Sequence, residues 1–158
     1  MSAIEYLDEA MKNISHLVID PDGREGDLLT VVLSPDDVMD DGLLHEHHLE
    51  HVLDYIDHKD WTIVPPTDYN KIVLRLGGFI GEYIRDRSTD KSWHWIAAGT
   101  AYALTSHDFF KVNILANLRL LYNEVTGKFL YPLAELLDYI KNPKQHSLRQ
   151  FIKNSILA

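Results

Sequence analysis

Residues 74–84 read LRLGGFIGEYI, a helical pattern with three glycines that leads through a polar loop to a tryptophan pair, WHW, at 93–95. Each glycine inside a helix costs about 1 kcal/mol relative to alanine, so a close neighbour is expected to compensate for it. Gly77 and Gly81 are four residues apart and share one face of the helix. We therefore predict that another backbone or a tryptophan ring lies flat against this face.

The composition is that of a globular domain rather than a disordered or membrane chain. With 158 residues, of which 46% are hydrophobic and 25% are charged, the chain is long enough for one sizeable core. It contains no cysteine, so disulfides are excluded and any metal would be held by His, Asp or Glu. The acidic N-terminus lacks the pattern of a leader, and no stretch approaches the ~20 apolar residues of a membrane span. We expect one cytoplasmic domain, 1–158.

The net charge of -9 is unevenly distributed along the chain. Residues 1–60 contain 16 Asp and Glu against 3 Lys and Arg, whereas residues 61–158 contain 8 against 12. A dense acidic field repels nucleic acid and accelerates encounters with basic protein surfaces. The alternatives are that the acidic half keeps the protein soluble, or that the two halves pack against each other.

The N-terminal part predicts helices and short strands. A capping box at 2–5 begins a helix that ends near Ser15. Residues 17–19 and 28–33 are typical of strands, a short helical turn follows at 35–39, and residues 61–64 resemble another strand. A longer helix covers about 43–59. Its predicted core face consists of Leu49, Val52, Leu53 and Ile56.

The C-terminal part predicts a strand followed mainly by helices. Thr67 or Asp68 is expected to cap the glycine-bearing helix, whose buried stripe would be Ile72, Leu76, Phe79, Ile80 and Tyr83. The strand that contains the tryptophans is predicted to turn at Gly99 and to pair with 101–104.

Three helices are expected after this hairpin. The first runs from about 108 to a stop at Gly127, with Ile114, Leu118, Leu121 and Val125 in its stripe. The second begins at Pro132 and ends at 142–143, and the third is capped by Ser147. The total is about six helices and up to five strands without βαβ alternation. The predicted fold class is α+β, helix-rich, with a small, mainly antiparallel sheet.

A histidine cluster at 45–51, HEHHLEH, contains the pattern H-x-x-E-H of inverted zinc peptidases at His47, Glu50 and His51. Two histidines four residues apart can bind one Zn²⁺, and Glu50 would be the general base. The residues on this helix face are His47, His51, Asp54 and His58. Two points argue against a metal site. This helix face lies opposite the predicted core stripe, and the only third ligand that can be nominated is Glu124, by its distance along the chain alone. A solvated face without metal or cofactor is therefore the preferred interpretation.

Other patterns do not indicate catalysis or nucleotide binding. Sequence neighbours such as 106–108, SHD, point in different directions and cannot form a catalytic relay. The glycines of 77–81 lack the lysine and the strand-to-helix turn of a phosphate loop. Glu82 and Arg85 are predicted to form a surface pair at i, i+3. Basic residues near the C-terminus lack interleaved aromatics in a chain of pI 5.3, which argues against nucleic-acid binding.

Residues 76–84, followed by the tryptophans of 93–95, resemble a pattern in small bacterial α+β proteins, some of which resemble immunity proteins of toxin loci. In that pattern an L-G-x-x-x-G-E helix leads into a tryptophan strand and a later helix, and it covers about a third of this chain. The chain departs from it at 88–91, which replace a glycine-rich helix exit, and in the first 60 residues. The resemblance implies a small bacterial α+β protein, in a group that includes immunity-type proteins, and supplies no catalytic residue.

The sequence thus favours a non-catalytic protein that neutralises a basic toxin or effector domain through its acidic half. The candidate contact residues are Asp36, Asp37, Asp40, Asp41, Glu46, Glu50, Asp54 and Asp57. One alternative is an acidic secretion chaperone, which would be a homodimer and would hold an effector segment. The other is a metal-dependent hydrolase that uses His47, Glu50 and His51.

Overall fold

The computed structural model describes residues 3–15, 46–97, 100–101, 119–145 and 147–158. These residues form five α-helices and a three-stranded antiparallel sheet, which confirms the α+β prediction. The elements are α1 (Ala3–Ser15), α2 (Glu46–His58), α3 (Pro66–Arg87), β1 (Trp93–Ala97), β2 (Arg119–Asn123), β3 (Phe129–Leu130), α4 (Pro132–Lys141) and α5 (Leu148–Leu157). Within these ranges, no helix combines the length and the apolar character that crossing a membrane requires.

The glycine-bearing helix α3 is the centre of the core. Every residue from 76 to 84 is buried, and α1, α2, α4 and α5 all contact this helix. The predicted stripe is confirmed, because Ile72, Leu76, Phe79, Ile80 and Tyr83 are all buried. The predicted cap is wrong: the N-cap is Pro65, Pro66 is the first helical residue, and no side chain caps this end. Proline suits this position because its missing N–H would have no helical partner there.

The glycines of α3 admit close neighbours, as predicted. A Cβ atom on Gly81 would lie 2.3 Å from both Cζ2 and Cη2 of Trp95, so the indole occupies the position of the absent side chain. A Cβ atom on Gly77 would lie 3.2 Å from the backbone Cα of Leu133 in α4 and 2.8 Å from its Cδ1. Gly78 faces α1 and has more room, with the flexible Met11 Cε at 3.3 Å. Glycine therefore permits the contacts of α3 with both β1 and α4.

The described strands form one sheet in the order β1-β2-β3, in which β1 pairs with β2. The predicted partner strand 101–104 is wrong at Ala101, the one residue of this segment that is described. The register places Trp95 opposite Leu121. Thr100 and Ala101 are helical, and Ala101 packs with Ile96 and Leu120 on one face of the sheet. The predicted turn at Gly99 and residues 102–104 lie outside the described residues.

The predicted helix from 108 to Gly127 is also wrong over 119–125, where β2 and a turn are found. Leu120 and Leu121 are both fully buried, on opposite faces of the sheet. A strand that is buried on both faces reads as a continuous apolar run, which a helical period also fits. Gly127 has a φ of +73° in the β2–β3 turn, so it serves the turn and not a helix end.

The predicted strand at 61–64 is instead a short 3₁₀ turn, Trp61–Ile63. A carboxylate oxygen of Asp60 accepts a hydrogen bond from the backbone N–H of Thr62 at 3.0 Å, and Trp61 Nε1 donates to the carbonyl of Ile56 at 3.0 Å. The first bond stabilises the turn, and the second joins Trp61 to the end of α2. Together they outweigh the preference of this segment for a strand.

The remaining helices agree closely with prediction. α1 ends at Ser15, α4 begins at Pro132, and Ser147 Oγ accepts a hydrogen bond from the Gln150 N–H at 3.2 Å at the start of α5. The predicted core face of α2, Leu49, Val52, Leu53 and Ile56, is buried. Several predicted features fall outside the described residues: Ser2 of the capping box, the segments 17–19, 28–33 and 35–39, and the beginning of the predicted helix at 108.

Gly81→Ala is expected to destabilise the protein by roughly 1–3 kcal/mol, because the added methyl group must displace the Trp95 ring. Gly78→Ala is the matched control in the same helix. It should change the stability by no more than about 1 kcal/mol. The change should be stabilising if the Met11 side chain moves aside, because alanine favours a helix more than glycine does. Urea unfolding of both variants makes the comparison, and equal losses would contradict the close approach of Trp95 to Gly81.

Asp90, in the loop before β1, is expected to make the stability of the protein depend on pH. Hydrogen bonds from Asn123 Nδ2 at 2.8 Å and from the Ser92 N–H at 2.9 Å lower the pKa of Asp90 from 3.8, with Asn123 the larger cause. The stability that they contribute is present above pH 3.8 and is lost as the pH falls through the lower pKa of the folded protein. Asp90→Asn should therefore flatten the decline in stability between about pH 4 and pH 2. Parallel stability profiles for variant and wild type would refute this.

Candidate functional site

Four of the predicted contact residues can be placed, and all four lie on α2. Glu46, Glu50, Asp54 and Asp57 are exposed, whereas Asp36, Asp37, Asp40 and Asp41 lie outside the described residues. At 100° per residue, positions i, i+4, i+8 and i+11 fall within about 80° of the helix circumference. We call this row of four carboxylates the acidic stripe. It runs along the edge of α2 next to the buried face, so solvent reaches its whole length.

Two carboxylates of the acidic stripe contact the C-terminal helices. Glu50 forms an ion pair with Arg149 of α5, and Asp57 accepts a hydrogen bond from the hydroxyl of Tyr139 in α4. This hydrogen bond is the main cause that raises the pKa of Tyr139. Among the described residues, no ion pair is formed by the other two side chains of the stripe, Glu46 and Asp54. These two carboxylates are therefore available to a partner without the loss of an ion pair.

The candidate metal residues of α2 do not form a ligand set within the described ranges. His47 and His51 are exposed, and their ring centroids are 6.4 Å apart in an edge-on arrangement. His58 Nδ1 lies 2.8 Å from the carbonyl oxygen of Asp54, so this ring belongs to the end of the helix. Glu124, nominated as a third ligand, lies after β2 beside His94. In the described part of the chain, no three His, Asp or Glu residues could hold one metal ion together.

A polar network that the sequence did not reveal joins α1, α3 and β1. One carboxylate oxygen of Asp8 accepts a hydrogen bond from the backbone N–H of Trp95 at 2.7 Å, and the other lies 3.1 Å from Arg85 Nη2. Arg85 Nη1 lies 2.8 Å from Glu82 Oε2, and Arg85 Nε donates to the carbonyl of Trp93 at 3.1 Å. The same oxygen of Glu82 accepts a hydrogen bond from Trp95 Nε1 at 3.2 Å. We call these five residues the Asp8–Arg85 network.

The predicted Glu82–Arg85 pair is present, but it is not a surface pair. Glu82 is only 6% exposed, and its carboxylate accepts a hydrogen bond from the buried indole of Trp95. The backbone groups of Trp93 and Trp95 that bond to Arg85 and Asp8 lie on the side of β1 away from β2. Side chains thus take the place of a neighbouring strand and protect this edge of the sheet.

His94 extends the network to the end of β2. Its Nδ1 lies 2.8 Å from Asp8 Oδ2, and its Nε2 lies 3.3 Å from Glu124 Oε1. A doubly protonated imidazole can donate to both carboxylates, whereas a neutral ring can donate to one only. Nδ1 thus joins β1 to α1, and Nε2 joins β1 to the residue that follows β2, so the ring connects three parts of the fold.

The comparisons with known proteins give no further guide to function. No protein-family model, curated protein or solved structure matches this chain. Function must therefore be inferred from the charges and contacts of the described residues.

Asp8→Ala is expected to destabilise the protein by roughly 3 kcal/mol, since it leaves the N–H of Trp95 and the guanidinium of Arg85 without their carboxylate in a largely buried place. Asp86→Ala is the control, because Asp86 follows Arg85 in α3, is exposed, and has its side chain outside the network. It should change stability by less than about 0.5 kcal/mol. Similar denaturation midpoints for the two variants would show that the network contributes little.

Proposed function

We propose that this chain is a non-catalytic protein-binding protein, an immunity protein that neutralises a basic toxin domain in the bacterial cytoplasm. The observation that carries the proposal is the acidic stripe, four exposed carboxylates in one row on α2. It belongs to residues 1–60, which hold 16 of the 24 acidic residues. Residues 76–84 and the tryptophan pair resemble a pattern in small bacterial proteins, some of which resemble immunity proteins, and this supports the same interpretation.

The spacing of the stripe suits a basic protein surface. From position 46 to position 57 a helix rises about 16 Å, so the four charges act together on an approaching cation within about two Debye lengths at physiological salt. Such a field raises the rate of encounter with a basic partner and opposes binding of nucleic acid. The partner that fits this surface exposes several lysines or arginines.

The stripe is also well anchored. Leu49, Val52, Leu53 and Ile56 hold α2 in the core, and the contacts of Glu50 with Arg149 and of Asp57 with Tyr139 tie it to α5 and α4. A partner that binds to a preorganised helix does not have to order it, so less affinity is lost on association.

The contact of Glu50 supports a non-catalytic role. Glu50, the base of the hydrolase alternative, is paired with Arg149. The chaperone alternative shares the acidic surface but predicts a homodimer, so light scattering of the purified protein separates it from the immunity protein.

The test uses the protein products of the reading frames that flank the gene, each purified in an inactive form and presented to the chain by biolayer interferometry. We expect a 1:1 complex with a basic product. The double variant Glu46→Lys with Asp54→Lys should slow association about tenfold at low salt, because the stripe loses its steering charge. The difference should shrink when salt is raised to about 0.5 M.

The matched control is Glu9→Lys with Asp138→Lys, two exposed carboxylates on α1 and α4. Its net charge changes by the same amount as in the test variant, but the stripe is intact. Equal association rates for the two double variants would show that only total charge matters. Equally tight binding of egg-white lysozyme would show nonspecific attraction to basic proteins, and either result would contradict the proposal.

A further inference from the structure

A groove of about 620 Å³ lies between α2 and α5. Both helices pack on α3, and Tyr83 of α3 lies between them. The ion pair of Glu50 with Arg149 crosses the groove and shows which residues of the two helices face each other. The residues that line the groove are Glu46, His47, Leu49, Glu50, Leu53, Tyr83, Arg149, Ile152, Lys153 and Ile156.

The groove has an apolar floor and rims of opposite charge. Leucine and isoleucine side chains from both helices, together with Tyr83, form the floor. The α2 rim carries Glu46 and Glu50, which are the first half of the acidic stripe. The α5 rim carries Arg149 and Lys153, which are exposed. An occupant must therefore combine an apolar face with charged flanks.

We propose that this groove receives a short amphipathic helix of the basic partner. The inference rests on the proposed function and names the contact that the partner makes. The lining of α2 extends from 46 to 53, which is about 11 Å of helix, so about two turns of the partner helix fit. Such a helix offers apolar side chains at i, i+3 or i+4 and i+7, the usual anchors for a helix in a groove.

Charge complementarity fixes the chemistry of the flanks. Lysine or arginine on one flank of the bound helix meets Glu46 and Glu50. Glu50 and Arg149 are 54% and 48% exposed, so solvent screens their ion pair, and a cation of the partner can replace Arg149 at small cost. Arg149 and Lys153 then face carboxylates on the other flank or the carbonyl end of the bound helix.

A second copy of this chain fits the groove less well. Two copies would each bring a net charge of -9, which opposes association. The charge balance therefore selects a basic partner over a homodimer.

The probes are three acetylated and amidated peptides of about 14 residues. The first has leucines at helical spacing i, i+3, i+4 and i+7, with lysines on one flank and glutamates on the other. The second replaces the lysines by glutamates, and the third keeps the composition of the first but scrambles the leucine positions. Each is titrated into the full ¹⁵N-labelled chain and followed by NMR.

The lysine peptide should shift the amide signals of 46–53 and 149–156. The glutamate and scrambled peptides should bind at least about tenfold more weakly. Shifts that lie elsewhere, or equal binding of the scrambled peptide, would overturn the inference. A homodimer that dissociates when the lysine peptide is added would assign the groove to a second copy and would also overturn it.

Three variants test the rims and the floor. Glu46→Lys and Lys153→Glu should each weaken the lysine peptide about fivefold, because each places a like charge against one flank of the bound helix. Ile156→Ser should weaken it about fivefold through loss of an apolar contact. Asp138→Lys, on the exposed surface of α4, is the control for Glu46→Lys and should have no effect. The two rim variants keep the test valid even if Ile156→Ser lowers the melting temperature.

The two proposals can fail separately. If a flanking product binds and its association depends on the stripe, but the peptide shifts lie outside the groove, the groove inference is wrong and the proposed function stands. If the lysine peptide binds in the groove while no flanking product binds, the groove is a helix receptor and the immunity role is wrong.

Discussion

The indole of Trp95 occupies the space where residue 81 would have a side chain, and the core is arranged around this contact. Because Gly81 has no Cβ, β1 can approach α3 closely enough for Trp95 Nε1 to reach the buried carboxylate of Glu82. The backbone N–H of the same residue then meets Asp8 from α1. One missing side chain thus permits contacts among three elements of the fold.

The Asp8–Arg85 network determines how α1, α3 and β1 are placed relative to one another. Apolar packing alone would tolerate a shift of β1 along α3, but the bonds from Asp8 to Trp95 and from Arg85 to Trp93 have one geometry. A buried polar group that loses its partner costs free energy, so a displaced strand would be penalised. Among the described residues, the network also satisfies backbone groups of β1 on the side away from β2, where a further strand would otherwise bond.

Features that depend on nearby residues could be predicted from the sequence. The glycine face of α3, the buried face of α2, Pro132 at the start of α4 and Ser147 at the cap of α5 all follow from local spacing and side-chain chemistry. The sequence pattern does not reveal β2, because this strand is buried on both faces of the sheet and its leucines also fit a helical period. The sequence pattern also does not reveal the 3₁₀ turn at 61–63. This turn depends on hydrogen bonds to Asp60 and to the carbonyl of Ile56, which strand propensity does not take into account.

In the candidate site, too, local features could be predicted from the sequence, whereas contacts between distant residues could not. The exposure of the acidic stripe follows from the period of α2, because its carboxylates lie outside the apolar face. The pairing of Glu50 with Arg149 joins residues 99 positions apart, and that of His94 with Asp8 joins residues 86 positions apart. No local pattern encodes such contacts, and they decide which carboxylates are available to a partner.

A double-mutant cycle with Gly81→Ala and Trp95→Leu tests most directly whether the core needs glycine at position 81 to make room for Trp95. The smaller side chain at 95 leaves room for a methyl group at 81, so the two changes should not be additive. The loss of stability from Gly81→Ala should be at least about 1 kcal/mol smaller in the Trp95→Leu background than in the wild type. The same loss in both backgrounds, within about 0.5 kcal/mol, would contradict the dependence of the core on this contact.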